Sequence, residues 1–145
     1  MNFIEELKWR GLVQDITPSF EDEISNNICV GYIGFDPTSD SLHIGSLVQL
    51  IILKHFQNYG HKPIILIGGA TGMIGDPSGK SKERNLLSQD IINKNIKSLK
   101  VQFSKFLNFD DAKNSAIILN NFDWCNKLNI IEFFRDFGKA LTVNY

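Results

Sequence analysis

The stretch Tyr32-Ile-Gly-Phe-Asp-Pro-Thr-Ser-Asp-Ser-Leu-His43-Ile-Gly45-Ser46 carries more potential chemistry than any other part of the chain. It leaves an apolar, β-branched run and enters a helical pattern, so it occupies a strand-to-helix junction. The first turn of a helix leaves backbone N–H groups without partners and carries the positive end of the helix dipole, which suits a phosphate. His43 at the helix start adds a side-chain donor, and Thr38 adds a hydroxyl. Gly45 has no side chain, so a flat ring can approach the backbone closely. The competing account is a polar turn followed by a helix that tolerates one glycine.

A second candidate is the run Gly68-Gly-Ala-Thr-Gly-Met-Ile-Gly-Asp-Pro-Ser-Gly79-Lys80. It follows an apolar strand, and in an open α/β sheet the loops at carboxyl strand ends line the ligand crevice. It invites a P-loop reading, but GxxxxGK[ST] is not met. Gly75 and Gly79 stand one residue too close and lie well past the strand end, which disfavours a P-loop nucleotidase. Asp76 is the one acid in this loop and either faces a cationic group or bonds its own backbone as turn aspartates do. Lys80, Lys82 and Arg84, with Glu83 among them, are either phosphate-binding cations or a solvated loop face. The amides of Asn120-Asn-Phe-Asp-Trp124 either point into the crevice or cap the next segment. His55 reads as a helix-face residue and His61 as a loop residue, while Trp9 and Trp124 read as packing residues.

The elements that must hold these groups follow from periodicity. Phe3, Ile4 and Leu7 mark a short amphipathic helix ending at Gly11. Thr17-Pro18 reads as an N-cap with proline at N1, opening an acidic helix with Phe20 and Ile24 inside it and ending at Asn26-Asn27. Residues 28–35 read as a buried strand. A helix from about Leu42 carries Ile44, Leu47, Val48, Ile51, Ile52, His55, Phe56 and Tyr59, closed by Gly60. Residues 63–67 are a second buried strand, and 68–82 a glycine-rich loop. Ser88 caps a long helix with Ile91, Ile92, Ile96, Leu99, Phe103 and Phe106 on one face. Residues 116–119 form a third strand, and Asn129 caps a helix through Phe137, stopped by Gly138. The order β-α-β-α-β-α implies parallel strands joined by right-handed crossovers, an open three-layer α/β sheet with helices on both faces.

Composition narrows the classes. The 145 residues hold 15 Lys and Arg against 16 Asp and Glu, which argues against a free-standing nucleic-acid binder held by an overall basic field. Cys29 and Cys125 lie far apart with no CxxC or HExxH spacing, so neither a zinc site nor a disulfide framework is expected, and a reducing cytosol is. The N-terminus has early acids and no apolar core of a signal peptide, and no apolar run is long enough to span a membrane. In a doubly wound sheet the first strand is central. Here it would be an edge, and residues 141–145 read as the start of further structure, so the chain is expected to be a piece of a longer protein.

Together, GFDPT…LHIG, GGATGxIGDPSG and NNxDW, in this order, resemble the bacterial tyrosyl-tRNA synthetase family of class I aminoacyl-tRNA synthetases. The resemblance implies a Rossmann-like (HUP-type) fold, with residues 1–27 a helical extension and 28–145 the first part of the catalytic domain. It implies activation of L-tyrosine by ATP, with Mg2+ on the phosphates and no protein-bound metal. Transfer to tRNA(Tyr) follows, in a cytoplasmic homodimer. By the same resemblance Gly34, Asp36, Pro37, Thr38, His43, Gly45 and Ser46 meet ATP. Tyr32, Asp36, Thr71, Asp76 and Asn121 meet tyrosine, and Thr38, His43, Lys80 and Arg84 carry catalysis. The family's HIGH motif reads His-Ile-Gly-Ser here, so Ser46 offers a hydroxyl of shorter reach. The later lysine loop and tRNA-binding regions have no counterpart in these residues. The alternative is a non-catalytic nucleotide- or tRNA-associating fragment.

Overall fold

Lys62–Ile67 alternates half-buried and buried side chains, the period-2 signature of a strand whose one face meets the core. This strand, β2, is the centre of a sheet in a computed structural model that describes residues 2–74, 87–110 and 113–141. It pairs in parallel with β1 (Val30–Phe35) on one side and β3 (Ile117–Asn120) on the other. The helices are α1 (Phe3–Trp9), α2 (Phe20–Asn26), α3 (Ile44–Asn58), α4 (Thr71–Ile74), α5 (Gln89–Phe103), α6 (Phe122–Cys125) and α7 (Ile130–Asp136), followed by a 3-10 turn, Gly138–Ala140.

The helix ends largely obey local chemistry. Asn2 and Glu5 form a capping box at α1, and Gly11 follows it at φ +68°, a left-handed position that favours glycine. Gly60, at φ +89°, does the same after α3. Ser88 and Asn129 cap α5 and α7 through their side chains, as expected. Four local expectations are corrected. Helix α2 starts after Ser19, not at Thr17-Pro18, and Phe20 is 39% exposed rather than inside. The buried side of α3 is Ser46, Leu50, Leu53, Phe56 and Gln57; Ile44, Val48 and Ile51 face out, because the apolar residues are spread around this helix and define no unique stripe. On α5, Ile91 is exposed while Asn95 is buried. The segments after β2 and β3 each contain a short helix, α4 and α6, in place of plain loop.

The core lies between the sheet and the pair α3 and α5. Phe35, Ile65 and Ile67 meet Leu50 and Leu53 from α3, and Ile92, Ile96, Leu99 and Phe103 from α5. Phe35 and Phe103 pack with their rings tilted by 58°, 5.1 Å between centroids. Full burial of each such side chain is worth ~1.5–3 kcal/mol, so this cluster dominates the fold's stability. Successive crossovers in one direction place both helices on one face, as right-handed βαβ units require. Strand β1 is the sheet edge, and Val30 and Tyr32 are exposed, so β1 is not the buried strand its composition suggested.

A second cluster joins Phe3, Ile4 and Leu7 of α1 and Ile24 of α2 to Phe56 on α3. His61 lies in the loop between α3 and β2, as expected, and is buried in this cluster. It is 6% exposed, stacks on Phe56 at 4.7 Å, meets Phe3 edge-on, and accepts the Cys29 N–H through Nδ1 at 3.2 Å. Burial lowers its pKa. Neither tryptophan packs: Trp9 is exposed with Arg10 over its ring, and Trp124 is exposed on α6.

Candidate active site

Parallel strands deliver their carboxyl ends to one edge of the sheet, and there the candidate residues converge. The ladders continue past the strands through Gly68 N–H to the Phe35 carbonyl and Asn121 N–H to the Ile67 carbonyl. This brings Asp36, Thr71 and Asn121 together. Thr71 donates its hydroxyl to Asp36 Oδ1 at 2.7 Å and lies 3.4 Å from Asn121 Nδ2 as acceptor. Asn121 Oδ1 accepts from Ala70 N–H at 2.7 Å. The hydrogen bonds run toward Asp36 as terminal acceptor, so the network ends in a carboxylate suited to a cationic group.

Two glycines make this approach possible. A Cβ on Gly68 would overlap Asp36 Oδ1 and Thr71 Oγ1, and one on Gly69 would overlap Asn120 Oδ1. Asn120 Oδ1 accepts from both Gly69 N–H and Phe122 N–H, at 3.1 Å each, so this amide ties the two turns together. Asn120 thus takes up the first N–H of α6, and Asn121 clips the Gly68–Thr71 turn while reaching the network.

His43 is the N-cap of α3 and accepts Gly45 N–H through Nδ1 at 3.0 Å. In the neutral ring that bond assigns the proton to Nε2, leaving an N–H donor at the far edge. A Cβ on Gly45 would stand 2.9 Å from the His43 ring, so this glycine first serves the cap. A cavity of about 410 Å³ lies beside it, bounded by Asp36, Thr38, His43, Ser46, Gln49 and Leu99. Gly34 and Phe35 also line it. Ser46 is buried and Pro37 fully so, while Thr38 is exposed. Tyr32 is 68% exposed on the strand that leads to Asp36, with open space over the intervening Gly34. Asp76, Lys80 and Arg84 lie outside the described residues, as does Lys82.

Sequence reasoning missed two residues beneath the loop. Asn95 Nδ2 donates to the Pro37 carbonyl at 2.9 Å. Gln102 accepts Leu42 N–H at 3.1 Å and donates to the Asp40 carbonyl at 3.2 Å. The available signal was a pair of amides seven residues apart within the apolar face of α5. Among the described residues no group of three or more His, Cys, Asp or Glu side chains converges as a metal site would. No described helix is long and apolar enough to cross a membrane.

An open parallel sheet with a polar crevice at its carboxyl ends, one wall of it a helix N-terminus, is a Rossmann-like α/β arrangement. Within that class, the chain belongs to the class I tRNA synthetases for tryptophan and tyrosine, the family that matches residues 26–145. It is 57% identical over 145 residues to the tyrosine–tRNA ligase of Flavobacterium psychrophilum, covering 99% of this chain and 34% of the relative. The tyrosine–tRNA ligase of Parabacteroides distasonis is 53% identical over 146 residues, with 100% and 34% covered. Among solved structures, a C-terminally truncated Aspergillus nidulans mitochondrial tyrosyl-tRNA synthetase superposes with a TM-score of 0.83 at 25% identity, over 99% of this chain and 44% of that one. The chain thus spans about a third of the length of the named relatives it matches.

Proposed function

We propose that this chain is the N-terminal part of a tyrosine–tRNA ligase, in which residues 1–27 are a helical extension and 28–145 hold half of the active site. The observation that carries the reading is the meeting of the Asp36–His43 loop with the Gly68–Thr71 turn and Asn121 at one sheet edge. The relatives named above are ligases for tyrosine, which points to that member of the family over the tryptophan one.

The chemistry needs no protein nucleophile. The tyrosine carboxylate attacks the α-phosphate of ATP, a tyrosyl-adenylate forms, and pyrophosphate leaves; the tyrosyl group then passes to tRNA(Tyr). The protein's task is to hold the reactants in line and to meet charge that grows on the phosphate oxygens. The His43 Nε2–H and the Thr38 hydroxyl face the phosphates at the N-terminus of α3, where the helix dipole favours negative charge. Gly45 lies under the adenosine, Ser46 near the ribose, and Gly34 and Pro37 shape the wall. Asp36, Thr71 and Asn121 receive the ammonium and carboxylate of tyrosine, helped by Asp76, and the Tyr32 hydroxyl meets the substrate phenol. Lys80 and Arg84 neutralise the departing pyrophosphate. Mg2+ enters with the ATP phosphates. The working enzyme is a cytoplasmic homodimer, and the rest of its site comes from the part of the ligase beyond this chain.

The test is amino-acid-dependent exchange of labelled pyrophosphate into ATP by the full-length ligase. Exchange with tyrosine and none with tryptophan is expected. Exchange with tryptophan, or none with either, overturns the reading.

A further inference from the structure

Helix α5 turns one buried amide, Asn95, and one half-buried amide, Gln102, toward the loop that follows β1. Asn95 is 6% exposed among Ile92, Ile96 and Leu99, and Gln102 adjoins the fully buried Phe103. A buried amide costs free energy unless its polar atoms are paired. Here each is paired with the backbone of a single loop, residues 36–42. Asn95 holds the Pro37 carbonyl, while Gln102 holds the Asp40 carbonyl and the Leu42 N–H. The spacing of seven residues places both amides on one side of α5, two turns apart, with Leu99 between them in the cavity wall. The loop has one described backbone bond of its own, Thr38 N–H to the Asp36 carbonyl.

We propose that Asn95 and Gln102 are positioning residues of the nucleotide site, acting through the loop backbone on Thr38 and His43. Their three hydrogen bonds bracket Thr38 and stop one residue short of His43. They fix the loop at Pro37, Asp40 and Leu42, leaving the exposed side chains of Thr38 and His43 turned to the crevice. Donors that stabilise developing charge are effective when they are already in place, and a displacement of about 1 Å can cost ~100-fold in rate. An amide that grips main chain sets position whatever side chains the loop displays. The inference rests on the reading that this loop serves ATP.

The test uses the full-length ligase with Gln102→Met, which keeps the side chain's length and removes both hydrogen bonds, and Asn95→Ser as a second variant. Loss of such bonds is expected to raise hydrogen exchange at the Leu42 amide about 3- to 10-fold, with β2 amides unchanged. Pyrophosphate exchange should lose about 10-fold in kcat with the KM for tyrosine unchanged. In a Thr38→Ala/His43→Ala background the same Gln102→Met change should cost less than about 2-fold, because both groups being positioned are gone. An equal loss in both backgrounds, or an unchanged Leu42 amide, overturns the proposal. If the parent ligase shows no tyrosine-dependent exchange, the functional reading fails separately, and the Leu42 amide still decides whether the clamp exists.

Discussion

Replacing His43 separates two jobs that one ring performs. Nδ1 caps α3 by accepting Gly45 N–H, while Nε2–H is the donor at the ring's far edge. Alanine removes both. Loss of an N-cap acceptor costs ~0.5–2 kcal/mol of stability. Loss of a preorganised donor to a transition-state oxyanion costs ~2.7–4 kcal/mol, a factor of ~10²–10³ in kcat. Asparagine splits the two. Its Oδ1 sits two bonds from Cβ, the position of Nδ1 in histidine, so it can accept the same Gly45 N–H. Its side chain ends there and offers nothing at the place of Nε2. His43→Asn should therefore melt within about 1 °C of the parent, while His43→Ala should melt a few degrees lower. Both should lose at least ~100-fold in the rate of tyrosyl-adenylate formation with little change in tyrosine affinity, as expected for a group used mainly in the transition state. Thermal melts and single-turnover adenylate formation in the full-length ligase check this. Recovery of rate along with stability in His43→Asn would refute the donor role and leave His43 as a cap.

The other expectations concern separate parts of the structure. Gly68→Ala should force Asp36 and Thr71 apart and raise the KM for tyrosine by about 10-fold or more, since a hydrogen bond to a charged group is worth ~1.5–3 kcal/mol; steady-state exchange kinetics measure it. Tyr32→Phe should leave the melting temperature unchanged, because the ring is exposed, while lowering the preference for tyrosine over phenylalanine by ~0.5–1.5 kcal/mol in kcat/KM. His61 is held neutral by burial, with its pKa below the ordinary imidazole value of about 6.5. An unfolded chain then takes a proton that the folded one refuses, so stability should fall as pH drops below about 6.5 toward the folded pKa. His61→Asn, which can still accept the Cys29 N–H, should flatten that part of the pH–melting profile. The 145-residue chain alone should show no measurable exchange, because several charge-stabilising donors of the proposed site lie beyond it.

What the sequence made legible was the chemistry tied to local rules. The N-cap residues Ser88 and Asn129 and the strand-to-helix junction at Asp36–His43 follow from neighbours in the chain, and the structure has them. The parallel β-α-β order follows from the alternation of apolar runs and helical periods. Orientation within an apolar helix was not legible. The apolar residues of α3 are spread around the helix, so which side meets the sheet is decided by Phe35, Ile65 and Ile67 rather than by its own pattern. The burial of His61 depends on α1 folding back across α3, a contact between residues far apart in sequence. Asn95 and Gln102 were passed over because an amide in an apolar stripe reads as a defect until its partner, a loop more than fifty residues earlier, is known. Within the site, hydrogen bonds link Asp36, Thr71 and Asn121, three residues that the motifs singled out. The motif also marked Gly68 and Gly69 without revealing that Asp36, Thr71 and Asn120 leave no room for a side chain there.

The central claim is that the crevice at the carboxyl ends of β1, β2 and β3 holds the adenylate of tyrosine. A crystal structure of the full-length ligase with a non-hydrolysable tyrosyl-adenylate analogue tests it most directly. The account predicts the phosphate-mimicking group within hydrogen-bond distance of His43 Nε2, the adenosine over Gly45, the ammonium at Asp36, and the phenol against the Tyr32 hydroxyl. An analogue bound elsewhere, or seated here with its phenol turned away from Tyr32 and its phosphate mimic away from His43, would contradict it.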